Sequence, residues 1–278
     1  MAGGSREGRA HPTVRLVACD LDGTLLLPDA TVSARSLAAI GRIRQAGIAF
    51  LLVTGRPPRS VREIAARAGL GGLAVCSNGA LVYDLDAGRV LTATPLTSGV
   101  GRRLVAELRR ALPGAVFAAE DERGFRREAA WQGHGLDAVD EVVHADPLDL
   151  VAEPVVKLLL RHPELAQAEL VERARELASD RAVVTISGDH LVEISAAGVT
   201  KAYALDWVCR RLGIPAAAVV AFGDMPNDLP MLAWAGHAVA VANARPEVRR
   251  AADEVTASNL DDGVALVLER LVDGDRPA

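Results

Sequence analysis

Two carboxylates set two residues apart, where a buried strand gives out, constrain this chain more than any other feature. The apolar run Val14 to Ala18 reads as a strand and leads into Cys19-Asp20-Leu21-Asp22-Gly23-Thr24. Side chains two apart on a strand share a face, so Asp20 and Asp22 point the same way. Neighbouring carboxylates repel, and one pKa rises unless a positive charge compensates. Mg²⁺, a hard cation that takes carboxylate and carbonyl oxygens, is the obvious compensation. Gly23 lets the chain turn away sharply. In open parallel sheets, ligands bind beyond the carboxyl ends of the strands. Taken alone, the hexapeptide also fits an ordinary surface turn rich in Asp and Gly, so the rest of the chain has to decide.

The rest of the chain begins as strictly alternating strands and helices. Ser33 caps a helix to about Ala46, with Leu37, Ile40 and Ile43 at helical spacing and Gly47 as its stop. A strand over Ile48 to Val53 ends at Thr54-Gly55-Arg56, a helix follows Pro57-Pro58, and a strand over Leu73 to Ser77 ends at Asn78-Gly79. The pattern then changes to hairpins mixed with helices: strands at 80–83 and 89–93, a helix at 98–112, strands at 115–120, 125–129 and 155–160, a helix at 164–178, and a hairpin over 182–194 turning at Gly188-Asp189. From 131 to 154 the chain is acidic, with scattered Gly and Pro, and gives no clear periodicity. Alternation resumes at Gly198-Val199-Thr200-Lys201, which opens a helix. A strand over Ala217 to Phe222 follows and ends at Gly223-Asp224-Met225-Pro226-Asn227-Asp228. The predicted fold is α/β: a doubly wound parallel-sheet core over 13–83 and 196–278, interrupted by an inserted α+β module over 84–195, after a disordered tail at 1–12.

Composition narrows the function. A net charge of −5 over 278 residues argues against a nucleic-acid partner, which needs a basic face. No apolar run approaches the ~20 residues that span a bilayer, and the polar start lacks the apolar stretch of a secretory signal, so no membrane partner is expected. Cys19, Cys76 and Cys209 are an odd, unpatterned set that reads as buried free thiols in a reducing compartment. The expected location is cytoplasmic.

Four strand ends thus carry polar groups, and Lys201 starts a helix. In that order they resemble the haloacid dehalogenase (HAD) superfamily, and within it the Cof-type, class IIB phosphatases: Asp20 to Thr24 as DxDGT, Thr54-Gly55-Arg56 as the second motif, Lys201 as the third and Gly223 to Asp228 as GDxxND, with Asn78-Gly79 matching the position after the third strand. The resemblance implies a Mg²⁺-dependent phosphatase of small phosphorylated metabolites, with sugar phosphates the expected class. It makes Asp20 the nucleophile that forms an aspartyl-phosphate, and Asp22 the general acid and then base. It assigns the metal to Asp20, the backbone carbonyl of Asp22, and Asp224. It assigns phosphate contacts to Thr54, Gly55 and Lys201, makes Asn227 hold phosphate or order a water, and gives Asp228 the task of orienting Lys201 or the waters on the metal. Arg56 and Asn78 fit a substrate contact and a brace between loops equally well. The insert is implied to be a cap that closes over the site.

A phosphomutase on the same nucleophile fits these motifs too, and a noncatalytic metabolite-binding protein is the reading from a different class. Lys157, the only other lysine, is expected to have a structural or rim role. Glu193 is expected to be an exposed edge residue. Glu120, Arg126, Arg127, Trp131 and His134 are each expected on a solvated outer face of the cap. No His spacing suits a metal; His134, His144 and His190 are expected at the surface, and Gly71-Gly72 as a turn.

Overall fold

Strands of only two to five residues make the sheets of this chain, and the buried parallel ones among them are apolar runs. The computed structural model describes residues 13–122, 124–132, 141–144, 146–188 and 191–274. The expected tail at 1–12, His134, Asp189 and His190 lie outside the described residues.

The first stretch comprises β1 (Leu16–Cys19), α1 (Ala34–Gln45), β2 (Ala49–Val53), α2 (Pro58–Ala68), β3 (Leu73–Cys76), β4 (Leu81–Asp84) and β5 (Arg89–Ala93). The middle contains α3 (Ser98–Ala111), β6 (Val116–Glu120), β7 (Phe125–Glu128), β8 (Glu141–His144), β9 (Lys157–Arg161), α4 (Gln167–Ala178), β10 (Ala182–Thr185) and β11 (Val192–Ala196). The chain finishes with α5 (Lys201–Leu212), β12 (Val219–Gly223), α6 (Leu229–Trp234), β13 (His237–Ala240), α7 (Pro246–Ala251), β14 (Glu254–Val255) and α8 (Gly263–Asp273). Ser33 caps α1 as expected, its hydroxyl accepting from the Ser36 amide at 3.0 Å.

The first and last stretches share one eight-stranded sheet in the order β14-β13-β12-β1-β2-β3-β4-β5, parallel except for β4 and β5. The chain moves outward from β1 in one direction through β2 and β3, and in the other through β12 and β13. The strand order therefore reverses between β1 and β12, which opens a crevice at their carboxyl ends. β1 and β12 are fully buried, so they read as continuous apolar runs. The middle stretch makes a six-stranded sheet, β10-β11-β9-β6-β7-β8, antiparallel but for the β7–β8 pair, with its own apolar core around Leu104, Leu108, Phe117 and Leu160.

Three expectations need correction. Strand β5, placed inside the insert from the sequence, pairs antiparallel with β4 at the edge of the eight-stranded sheet, because the hairpin turn keeps it beside its partner. Strand β8 lies in the stretch that gave no periodicity; Val142 and Val143 are both about half exposed, so no buried face marks it. Glu193 is buried, because β11 lies between β10 and β9 and β10 forms the edge instead.

Candidate active site

The loop after β1 has the shape it has because another carboxylate stands against it. Gly23 adopts φ +74°, and a Cβ there would lie 2.4 Å from Oδ2 of Asp224. Thr24 donates its hydroxyl to Oδ1 of the same Asp224 at 3.0 Å. Two letters of the first motif are thus dictated by a residue two hundred positions away, at the end of β12.

Lys201 enters from the first position of α5, capped by the Thr200 hydroxyl. The start of this helix runs close to Gly79, where a Cβ would sit 2.0 Å from the Thr200 carbonyl oxygen; this close approach, with φ +97°, requires glycine. The Lys201 ammonium is buried and donates to Oδ1 of Asp20 at 2.6 Å and to Oδ1 of Asp228 at 2.5 Å. The other Asp228 oxygen accepts from the Asp224 and Met225 amides at 2.9 and 3.0 Å. Asp228 therefore holds Lys201 to the loop after β12. Burial alone pulls the Lys201 ammonium down, but the charges of Asp20 and Asp228 outweigh it and hold its pKa above the ordinary value.

The carboxylates carry the opposite imbalance. Burial pushes Asp20 well up, and the charges of Asp228, Asp224 and Asp22 add to it beyond what Lys201 offsets. Burial, then the charge of Asp228, pushes Asp224 up to about 6. Carboxylate oxygens of Asp20, Asp224 and Asp228 lie within 4.8 Å of one another. Both Asp228 oxygens are already occupied, so Asp20 and Asp224 are the pair short of positive charge. An all-oxygen, under-compensated pair of this kind suits a hard divalent cation.

Thr54, buried at the end of β2, accepts the Arg56 amide at 3.1 Å on its hydroxyl. Arg56 forks onto Asp22, Nε to Oδ2 at 2.7 Å and Nη2 to Oδ1 at 2.6 Å. Its guanidinium thus meets the expected acid–base residue. Asn78 does not line the cavity, so of its two expected roles the substrate contact is not the one seen. Its Oδ1 accepts from Asn227 and its Nδ2 donates to Glu193 at 2.8 Å, which makes it a brace between loops. Asn227 does line the cavity; its buried Oδ1 has no partner among the described residues.

A cavity of about 300 Å³ joins these loops to the second sheet. On the first side it is lined by Asp20, Asp22, Thr54, Gly55, Arg56, Met225 and Asn227; Glu120, Phe125, Trp131, Lys157, Leu159, Arg161, Leu191 and Glu193 line the other. The Lys157 ammonium donates to the Gly55 carbonyl and to Oε1 of Glu193, both at 2.7 Å, and pairs with Oε2 of Glu120 at 3.3 Å. Glu120 also accepts from Arg59 at 3.0 Å. Burial raises Glu193, but Lys157 and hydrogen bonds from Lys157, Ser187 and Asn78 outweigh that and hold it below the ordinary carboxylate range.

Glu120 and Trp131 are thus buried at the cavity, not on an outer face. Arg126 is turned to Asp121 at 3.0 Å, and neither it nor Arg127 lines the cavity. The signal that could have found Glu120 is register: on β6 it stands directly opposite Lys157 on β9.

A family model described as haloacid dehalogenase-like hydrolase matches residues 17–268. The chain is 32% identical over 276 residues to the 5-amino-6-(5-phospho-D-ribitylamino)uracil phosphatase YitU of Bacillus subtilis, covering 91% of this chain and 96% of that one. It is 32% identical over 241 residues to the HMP-PP phosphatase of Serratia proteamaculans, covering 84% and 86%. A solved protein from Streptococcus mutans superposes with a TM-score of 0.82 at 23% identity, over 94% of this chain and 99% of that one, a likeness of fold.

Proposed function

Because the chain belongs to the haloacid dehalogenase-like hydrolases and is a phosphatase of small phosphorylated compounds, we propose that it works through an aspartyl-phosphate on Asp20 with Mg²⁺ as its metal. The observation that carries the reading is the Lys201 ammonium joining Asp20 to Asp228 with Asp224 alongside. Asp20, Asp224 and the Asp22 carbonyl would hold the metal. When bound, Mg²⁺ neutralises charge on the phosphoryl oxygens and on the paired carboxylates.

The chain's own groups do the rest. Lys201 fixes one Asp20 oxygen, which leaves the other to attack phosphorus. A phosphorus–oxygen bond forms to Asp20 as the ester bond breaks, and Asp22 gives a proton to the departing alkoxide. Water then attacks the phosphorus of the aspartyl-phosphate, Asp22 takes its proton, and inorganic phosphate leaves with Asp20 restored. Thr54 and the Gly55 amide bind the phosphoryl group. Asn227, whose open atom is an acceptor, orders the water. Asp22 must part from Arg56 to exchange its proton, since both its oxygens face the guanidinium. The segment between β5 and α5 acts as the cap, covering the site with Lys157 on the Gly55 carbonyl. The setting is cytoplasmic, where the buried thiols Cys19, Cys76 and Cys209 stay reduced.

The test is phosphate release from small phosphoesters, with EDTA abolishing turnover and Mg²⁺ restoring it. Asp20→Asn should bind ligand and release no phosphate. An Asp20→Asn protein with near-native rates would end the covalent reading, and an isomeric ester in place of inorganic phosphate would make the chain a mutase.

A further inference from the structure

We propose that this site selects a leaving group built on one flat aromatic or heteroaromatic ring, in preference to a polyhydroxylated sugar; the proposal rests on the phosphatase reading above. The carbon wall opposite the catalytic loops is the first ground. Phe125 and Trp131 meet edge to face, with ring centres 6.2 Å apart and planes at 63°, and Leu159 and Leu191 extend the surface. The Arg161 guanidinium lies 4.6 Å from the centre of the Trp131 ring. A planar ring gains dispersion and cation–π contact on such a wall, whereas sugar hydroxyls turned to it lose water and gain no partner.

The second ground is where the polar groups point. Sugar hydroxyls are held by open carboxylates and amides, and the two carboxylates of this wall are already engaged. Glu193 has Lys157 on one oxygen and Asn78 on the other; Glu120 has Arg59 on one and Lys157 on the other. Among the described residues of this wall, three buried atoms lack a hydrogen bond. One is Oε2 of Glu120, which has the Lys157 ammonium as its ion-pair partner at 3.3 Å. The other two are donors, Nε of Arg161 and Nε1 of Trp131, the latter in a residue only 4% exposed. An unpaired buried donor favours a ligand that carries an acceptor, as a ring nitrogen or ring carbonyl does.

Size is the third ground. About 300 Å³ is the low end of the range for small-molecule pockets, enough for a phosphate and one ring.

The experiment measures kcat/KM of the full-length protein with Mg²⁺ for pyridoxine phosphate and benzyl phosphate against hexose and pentose phosphates, with acetyl phosphate as a substrate too small to reach the wall. The expected result is a preference of about tenfold or more for the ring compounds, and for pyridoxine phosphate over benzyl phosphate, which lacks the acceptor. Trp131→Ala should cut the ring-to-sugar ratio about tenfold, and Trp131→Phe should restore most of it while losing the pyridoxine-over-benzyl margin. Sugar phosphates turned over as well as or better than ring phosphates, with acetyl phosphate also cleaved, overturn this proposal and leave the phosphatase reading standing. If no ester is cleaved, acetyl phosphate included, the phosphatase reading falls. Calorimetric binding of pyridoxine phosphate against hexose phosphate to the Asp20→Asn protein then decides the wall by itself: tighter binding of the ring compound supports it, and equal or weaker binding overturns it.

Discussion

The two sheets bury charge in different ways. In the eight-stranded sheet every charged side chain of the site stands just past a strand end or at a helix start: Asp20 after β1, Asp224 after β12, Lys201 opening α5. In the six-stranded sheet the buried charges lie within the strands, with Glu120 and Lys157 paired across β6 and β9 and Glu193 on neighbouring β11. The first arrangement places charge where backbone amides and a metal can meet it. The second balances charge largely within one set of ammonium, carboxylates and the Gly55 carbonyl, which Arg59 joins at Glu120 and Asn78 at Glu193. Under the proposed mechanism, chemistry and specificity are carried by different constructions that meet at Gly55.

That contrast can be broken most sharply at Asp20. Asp20→Asn should lower kcat by about four orders of magnitude or more with the fold retained, measured as phosphate release alongside circular dichroism. The same assay on Glu193→Gln should show a far smaller fall. Comparable losses would erase the distinction.

Stability comes next. Lys201→Met strands Asp20 and Asp228, and Lys157→Met strands Glu193 while Glu120 keeps Arg59; each should cost about 3–5 kcal/mol, because an uncompensated buried charge remains. Chemical denaturation reads both. If Lys157→Met stayed within about 1 kcal/mol of the parent, the set around Lys157 would be mere surface pairing.

The pH response sharpens the comparison further. Glu193 is held below its ordinary 4.5, so its contribution is fully present above that pH and is lost as pH falls through the folded value. Lys157 is held above its ordinary 10.5, so its contribution is intact below that pH and is lost only as pH rises through its folded value. The gap in melting temperature between parent and Glu193→Gln should stay level from neutral pH down to 4.5 and close below it. A gap that instead closed between neutrality and 4.5 would show that the pair does not hold Glu193 down. Smallest is the cap of α1: Ser33→Ala should cost about 1 kcal/mol and leave activity alone.

The same contrast decides what could be read from the chain beforehand. Asp20 and Asp224 are legible because a strand end followed by acidic residues and glycine survives as a local motif, and the alternation of elements tells which ends converge. Lys201, at a helix start, is reached only through the family resemblance. The tie of Asp228 to Lys201 likewise comes from the resemblance, which leaves the waters on the metal as its alternative task. For Asn78 the sequence leaves a substrate contact and a brace open, because the choice depends on Glu193, which arrives from another sheet. Glu193 and Glu120 read as exposed because a charged residue in a short strand gives no sign of its neighbours until the register is known. Strand β8 escaped notice because two half-exposed valines carry no alternation.

The chain has two lysines, and both ammonium groups are buried here, Lys157 at 2% exposure and Lys201 at 1%. Its remaining fixed positive side chains are arginines, so acylating reagents meet no exposed lysine on the folded molecule. Modification beyond the α-amino group would therefore chart, site by site, how often each of these two amines comes into the open.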